Sequence, residues 1–249
     1  MSMRQLRLET IAQKLESLEE TIVYKLIDRA QFCVNAVVYR PGESGFIGEP
    51  EVSLFELRLR SQEEIDSHFG RFCVPEERPF SATLPAARRV VRIPDTGLHI
   101  ADYDCINLTG DILAGYRALI TQICKDGDDG QYGSSVEHDV YALQAIARRI
   151  HYGSLYVAES KFRSAPDSYM KLIENHDTTV LEQLLTRKEV EDAILARVLN
   201  KVAYAQGRVN TAIRQVIDPE RVLSFYRDCI IPLTKKGEVR YLLNRSRLS

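Results

Sequence analysis

The stretch LRLETIAQKLESLEETIVYKLIDRAQF, Leu6 to Phe32, sets Leu8, Ile11, Leu15, Leu18, Ile22 and Leu26 at steps of three and four. An α-helix turns about 100° per residue, so these side chains form one apolar stripe, while most of the intervening Glu, Gln and Lys face elsewhere. The spacing predicts a long amphipathic helix to about Phe32. Outward from it, the same period returns over Cys105 to Cys124 and, after the Gly- and Asp-rich KDGDDGQYGSS, from about Ser135 to Phe162. In TRKEVEDAILARVLNKVAYAQG, Val190, Ile194, Val198 and Val202 repeat the pattern, with Gly207 as a stop. SAPDSY offers a cap at Ser164 or Ala165 ahead of Pro166, and short helices follow to Leu185. Asp218 and Pro219 read as a cap and a first-turn proline, with Pro232 expected to kink the helix behind them.

Between Val34 and Gly97 the segments RPGESGFIGEP, VPEERPF and RIPDTG break the chain into connections around a short helix, Leu54 to Phe69. No stretch alternates with period two. The fold class expected is all-α: a single domain over residues 1–249, built as a helical bundle of about ten to twelve helices with a site between the long ones.

Composition narrows the function. Lys and Arg number 33 against 35 Asp and Glu, so no overall positive charge favours nucleic acid, and a basic site must be local. No apolar run approaches a membrane span, and MSMRQLRLET lacks the apolar core of a signal peptide, so neither membrane nor secretion is expected. The five cysteines are odd in number and contain no C-x-x-C pair, which fits a reducing cytoplasm. Asp126, Asp128 and Glu137 sit at EF-hand positions one, three and twelve, but Gln131 occupies the place that needs glycine. The loop reads as a surface turn, and no metal or other cofactor is expected. His138 and His151 have no nucleophile motif beside them.

What remains is a set of polar residues on long helices: Arg149, Lys161, Glu191, Thr234 and Glu238. Thr234 and Glu238 are four apart and share a helix face. Together the five could line a polar pocket inside a bundle, and two cations there suit a small anionic ligand. One spacing is awkward. Arg149 and Lys161, in RRIHYGSLYVAESKF, are twelve residues apart, which on a regular helix leaves them about 120° apart, whereas eleven would leave about 20°.

RRIHYG, VAESKF, TRKEVEDAIL and IPLTKKGEVRYLLNR, together with LETIAQKLESLEETIVYKLIDRAQF and GRFCVPEERPF, resemble the regulated all-helical chorismate mutases of fungi and plants, in order over nearly the whole chain. The resemblance implies conversion of chorismate to prephenate, a pericyclic Claisen rearrangement on the route to phenylalanine and tyrosine, with no cofactor. It implies that Arg149 binds a substrate carboxylate and Lys161 a carboxylate and the ether oxygen. Glu191 would hold the hydroxyl, Thr234 a carboxylate, and Glu238, protonated, would face the ether oxygen. It further implies a homodimer with tyrosine or tryptophan as effector, held through Gly133 and Ser134 on one side and Arg71 on the other.

Two departures stand out. The family's first-helix arginine is replaced by Ala12, and Arg187, where some relatives have asparagine, is the expected substitute, with Arg7 a second candidate. The family has eleven residues from the arginine to the lysine, so the extra one here is expected to be taken up as a π-bulge between Gly153 and Ala158. These departures also support a competing reading, a catalytically silent homologue that binds an aromatic amino acid or a partner protein.

Overall fold

The computed structural model describes residues 6–207 and 209–245. Ten α-helical segments account for most of them: α1 Leu8–Arg29, α2 Leu54–His68, α3 Thr109–Ile123, α4 Tyr132–Tyr152, α5 Ala158–Ser164, α6 Pro166–Glu174, α7 Thr178–Leu185, α8 Lys188–Gln206, α9 Pro219–Phe225 and α10 Ile231–Leu243. Two pairs are continuous. A π-turn over Gly153–Val157 joins α4 to α5, and another over Tyr226–Ile230 joins α9 to α10. The described residues thus form eight continuous helices and no strand; Ile100 and Arg245 make an isolated bridge.

The apolar stripe of α1 explains its packing. Leu18, Ile22 and Leu26 are buried, the last two in one cluster with Val140, Leu143, Ile146 and Ile150 of α4. Burying side chains of this size contributes about 1.5–3 kcal/mol each, far more than helix propensity does. Leu8 and Leu15, in the first half of the stripe, stay partly exposed because they line a pocket. The helix stops at Arg29, three residues before the expected Phe32. The Arg29 guanidinium reaches the carbonyls of Phe32, Cys33 and Val34, so the chain wraps around it and leaves the helical path.

Ser53 and Glu56 form the reciprocal cap that starts α2. At its other end the buried Glu63 carboxylate accepts the backbone N–H groups of Phe80 and Ser81 at 2.7 and 2.8 Å, which anchors the irregular segment behind α2. Asp218 caps α9 as expected. Pro232, where a kink was expected, is the second residue of α10, which directly follows the π-turn over Tyr226–Ile230. It lacks the N–H that would bond the carbonyl four residues back, and the π-turn immediately before it absorbs that loss. Gly207 ends α8 in a right-handed rather than left-handed conformation.

Candidate active site

The first π-turn answers the spacing problem. It widens the helix by one residue between Arg149 and Lys161, so both side chains line one pocket of about 280 Å³. The wide turn disturbs the backbone bonding, and Ser154 compensates: its hydroxyl lies 2.8 Å from the Ile150 carbonyl and 3.1 Å from the Thr234 carbonyl. Two glycines let the rods cross this closely. A Cβ on Gly237 would come within 2.0 Å of Ser154 Oγ, and one on Gly153 within 2.8 Å of Thr234 Cγ2.

Across the pocket, Thr234 donates its hydroxyl to the Ile230 carbonyl at 2.7 Å, at the end of the second π-turn. Its oxygen is thereby oriented to accept from Arg149 Nη1 at 2.8 Å. One turn along, Glu238 accepts from Lys161 Nζ at 2.9 Å, and the same ammonium donates to the Leu185 carbonyl at 2.7 Å. Glu238 is 5% exposed, and burial pushes its carboxyl above the usual carboxylate range although Lys161 pulls the other way. Glu191, on α8, faces the same pocket and pairs with Lys235 at 3.1 Å. The five polar residues named from the sequence therefore meet, between apolar walls of Leu15, Val157, Ile194 and Ile231.

Ala12 is exposed at the pocket rim. Arg187 lines the rim as well, as the N-cap residue of α8, its carbonyl accepting the Glu191 N–H at 3.1 Å in the first turn. Arg7 does not line this pocket. It lies on the other flank of α1, in a separate cleft.

Three residues of the site were not read from the sequence. Glu19, 0% exposed, receives two parallel bonds from Arg197 at 2.8 and 2.9 Å, with Lys201 at 3.5 Å and Arg149 Nη2 at 3.8 Å. It thus supports Arg149 from behind. The signal was available, since Glu19 follows Ile11 and Leu15 at steps of four on the buried stripe, where a carboxylate needs cationic partners. Arg197 and Lys235 carried no comparable signal, being two charges among many on exposed-looking helix faces.

The effector residues are apart within one chain. Arg71 binds Asp66 and Gln144 at 2.8 and 2.6 Å and Glu77 at 3.1 Å. Gly133 and Ser134 are exposed in the first turn of α4, eleven residues before Gln144, which is about 16 Å along the helix.

Comparison with known proteins agrees with this geometry. No family model matches the chain. The chain is 38% identical to chloroplastic chorismate mutase 1 of Zea mays, over 96% of its own length and 79% of the relative's. It is 34% identical to the chorismate mutase of Schizosaccharomyces pombe, covering 96% of both chains. A crystal structure of the Candida albicans chorismate mutase in complex with L-Trp superposes with a TM-score of 0.87 at 34% identity, over 96% of this chain and 92% of that one. The all-helical bundle is the architecture that the Candida albicans structure shares with it. The chain belongs to the chorismate mutase family.

Proposed function

We infer that the chain is an isomerase, a chorismate mutase, and forms one such domain over residues 1–249. The observation that carries this reading is the convergence of Arg149, Lys161, Thr234 and Glu238 on a single small pocket despite the extra residue in the helix. In the reaction an ether C–O bond breaks as a C–C bond forms within the same molecule, so no group has to be donated or removed. The protein's task is to hold a dianion in its reactive shape and to stabilise the charge that gathers on the ether oxygen.

Arg149 and Thr234, already joined at 2.8 Å, grip one carboxylate between them. Lys161 bridges a carboxylate and the ether oxygen, and Glu191 accepts the substrate hydroxyl. Glu238, protonated, donates a hydrogen bond to the ether oxygen and keeps its proton; its raised pKa supplies the protonated form, and a bound dianion raises it further. Arg187, at the rim beside Ala12, meets the second carboxylate. Purified protein incubated with chorismate should consume it and release prephenate. Absence of turnover by this chain, together with turnover by Ala12→Arg, would establish the silent-homologue reading instead.

Regulation belongs to the same proposal. Arg71 of one copy and Gly133 and Ser134 of a second would share a site for tyrosine or tryptophan, consistent with the L-Trp in the Candida albicans structure. Sedimentation should then report a homodimer. No helix among the described residues is long and apolar enough to cross a membrane. Five unbridged cysteines fit the reducing cytoplasm, although the maize relative is named as chloroplastic.

A further inference from the structure

Behind the catalytic pocket, on the opposite flank of α1, lies a second cleft of about 480 Å³. Its floor is a pair of stacked rings, Tyr152 and Tyr156, with centroids 4.4 Å apart and planes 28° from parallel. Tyr152 immediately precedes the first π-turn and Tyr156 lies within it. One rim carries two cations, Lys14 of α1 and Arg7, the N-cap residue before that helix. The facing wall carries Glu76 and Asp95. Glu76 is 8% exposed and is held in position by the Tyr156 hydroxyl at 3.4 Å and Arg148 at 3.8 Å.

We propose that this cleft is a binding site for a small aromatic zwitterion of the α-amino acid type, distinct from both the catalytic pocket and the site expected at Arg71, Gly133 and Ser134. The charges match in kind. Arg7 and Lys14 take a carboxylate, Glu76 and Asp95 take an ammonium, and the tyrosine pair and neighbouring prolines receive a flat ring by stacking and apolar contact. The location gives the site a consequence. Ile11 lines both cavities, and the cleft rests on the two elements, α1 and the first π-turn, that shape the catalytic pocket.

The absence of tryptophan from the chain and its twelve tyrosines make the test direct, because indole emission sensitised by tyrosine then reports bound probe. L-tryptophan should bind to the Arg71→Ala variant, in which the other expected site is disabled. Lys14→Ala and Glu76→Gln, made in that background, should each weaken binding about tenfold. Indole-3-acetate should be sensitive to Lys14→Ala alone, and tryptamine to Glu76→Gln alone. Should the buried Glu76 variant fail to fold, Asp95→Asn at the exposed rim replaces it and should weaken binding in the same direction. Lys161→Met should leave L-tryptophan affinity unchanged. Loss of all binding in Arg71→Ala or in Lys161→Met, or unchanged affinity in Lys14→Ala and Asp95→Asn, overturns the proposal.

Discussion

Helices α1 and α4 run antiparallel and are joined by buried charges at two levels, and the levels differ. At one, Arg29 of α1 meets Asp139 of α4 at 2.5 Å; at the other, ten residues away on each helix, Glu19 of α1 faces Arg149 of α4 at 3.8 Å. The polarity is reversed and the burial is alike, with all four side chains at or below 2% exposure. At the first level the polar groups are well partnered: Asp139 also accepts from Tyr39 and Tyr116 at 2.7 and 2.8 Å, and Arg29 from its side reaches three carbonyls. At the second, Arg149 spends its short bond on Thr234, stands back from Glu19, and has an Nε with no acceptor among the described residues. A buried pair with its partners complete specifies the fold. A buried cation left with bonding capacity is suited to bind something else.

That contrast can be broken by displacing one level without the other. One alanine inserted after Val157 turns Lys161 by about 100° away from Glu238 and leaves Arg29 and Asp139 untouched. Chorismate turnover should fall about 10³-fold with little change in the unfolding midpoint. Arg149→Met should lower turnover by about 10²–10³-fold and cost about 1 kcal/mol of stability or less, because Arg197 and Lys201 still satisfy Glu19. Arg29→Met should do the reverse. It strands a buried Asp139, costs about 3–5 kcal/mol in denaturant unfolding, and leaves the activity of the folded fraction near normal. Equal destabilisation by the two variants would refute the distinction.

The functional level should also be sensitive to pH. Glu238 has a raised pKa in the folded chain, so below the ordinary carboxylate pKa both folded and unfolded forms are protonated and nothing is lost. As pH rises toward the raised value, the folded state holds more protons than the unfolded state, so stability declines across that window, and the protonated donor is lost as pH passes through it. Turnover should therefore fall at the alkaline side of that raised value, and Glu238→Gln, which donates at any pH, should flatten the profile. The smallest effect expected is at the rim. Arg187→Ala should raise KM about tenfold, Arg7→Ala should leave KM unchanged, and Ala12→Arg should rescue Arg187→Ala.

Much of this was legible in the sequence because it is local. The stripe of α1 and the repeat through Val198 and Val202 follow from a period, and the π-turn follows from counting twelve residues where a shared face allows eleven. The second π-turn was legible only in part: Pro232 announces a missing bond, but whether the helix kinks or widens depends on how Thr234 and α4 pack against it. Arg187 was read from its distance to Glu191, and both line the pocket, although Arg187 is the cap that starts α8 and not a residue within it. Arg29 pairs with Asp139, 110 positions away, and no sequence period reports that. Glu19 lay in plain view on an apolar stripe, and its meaning depended on partners from α4 and α8.

The first π-turn can also be described as a dislocation, one residue too many threaded into an otherwise regular lattice of backbone bonds. A dislocation can glide. An N–H that passes from the carbonyl four residues back to the one five residues back moves the fault one residue along without breaking the rod. Only the side chains it passes over change face. Everything upstream and downstream keeps its phase, so Arg149 and Lys161 stay aligned wherever between them the fault resides, and the intervening turn is free to vary while the two charges are not.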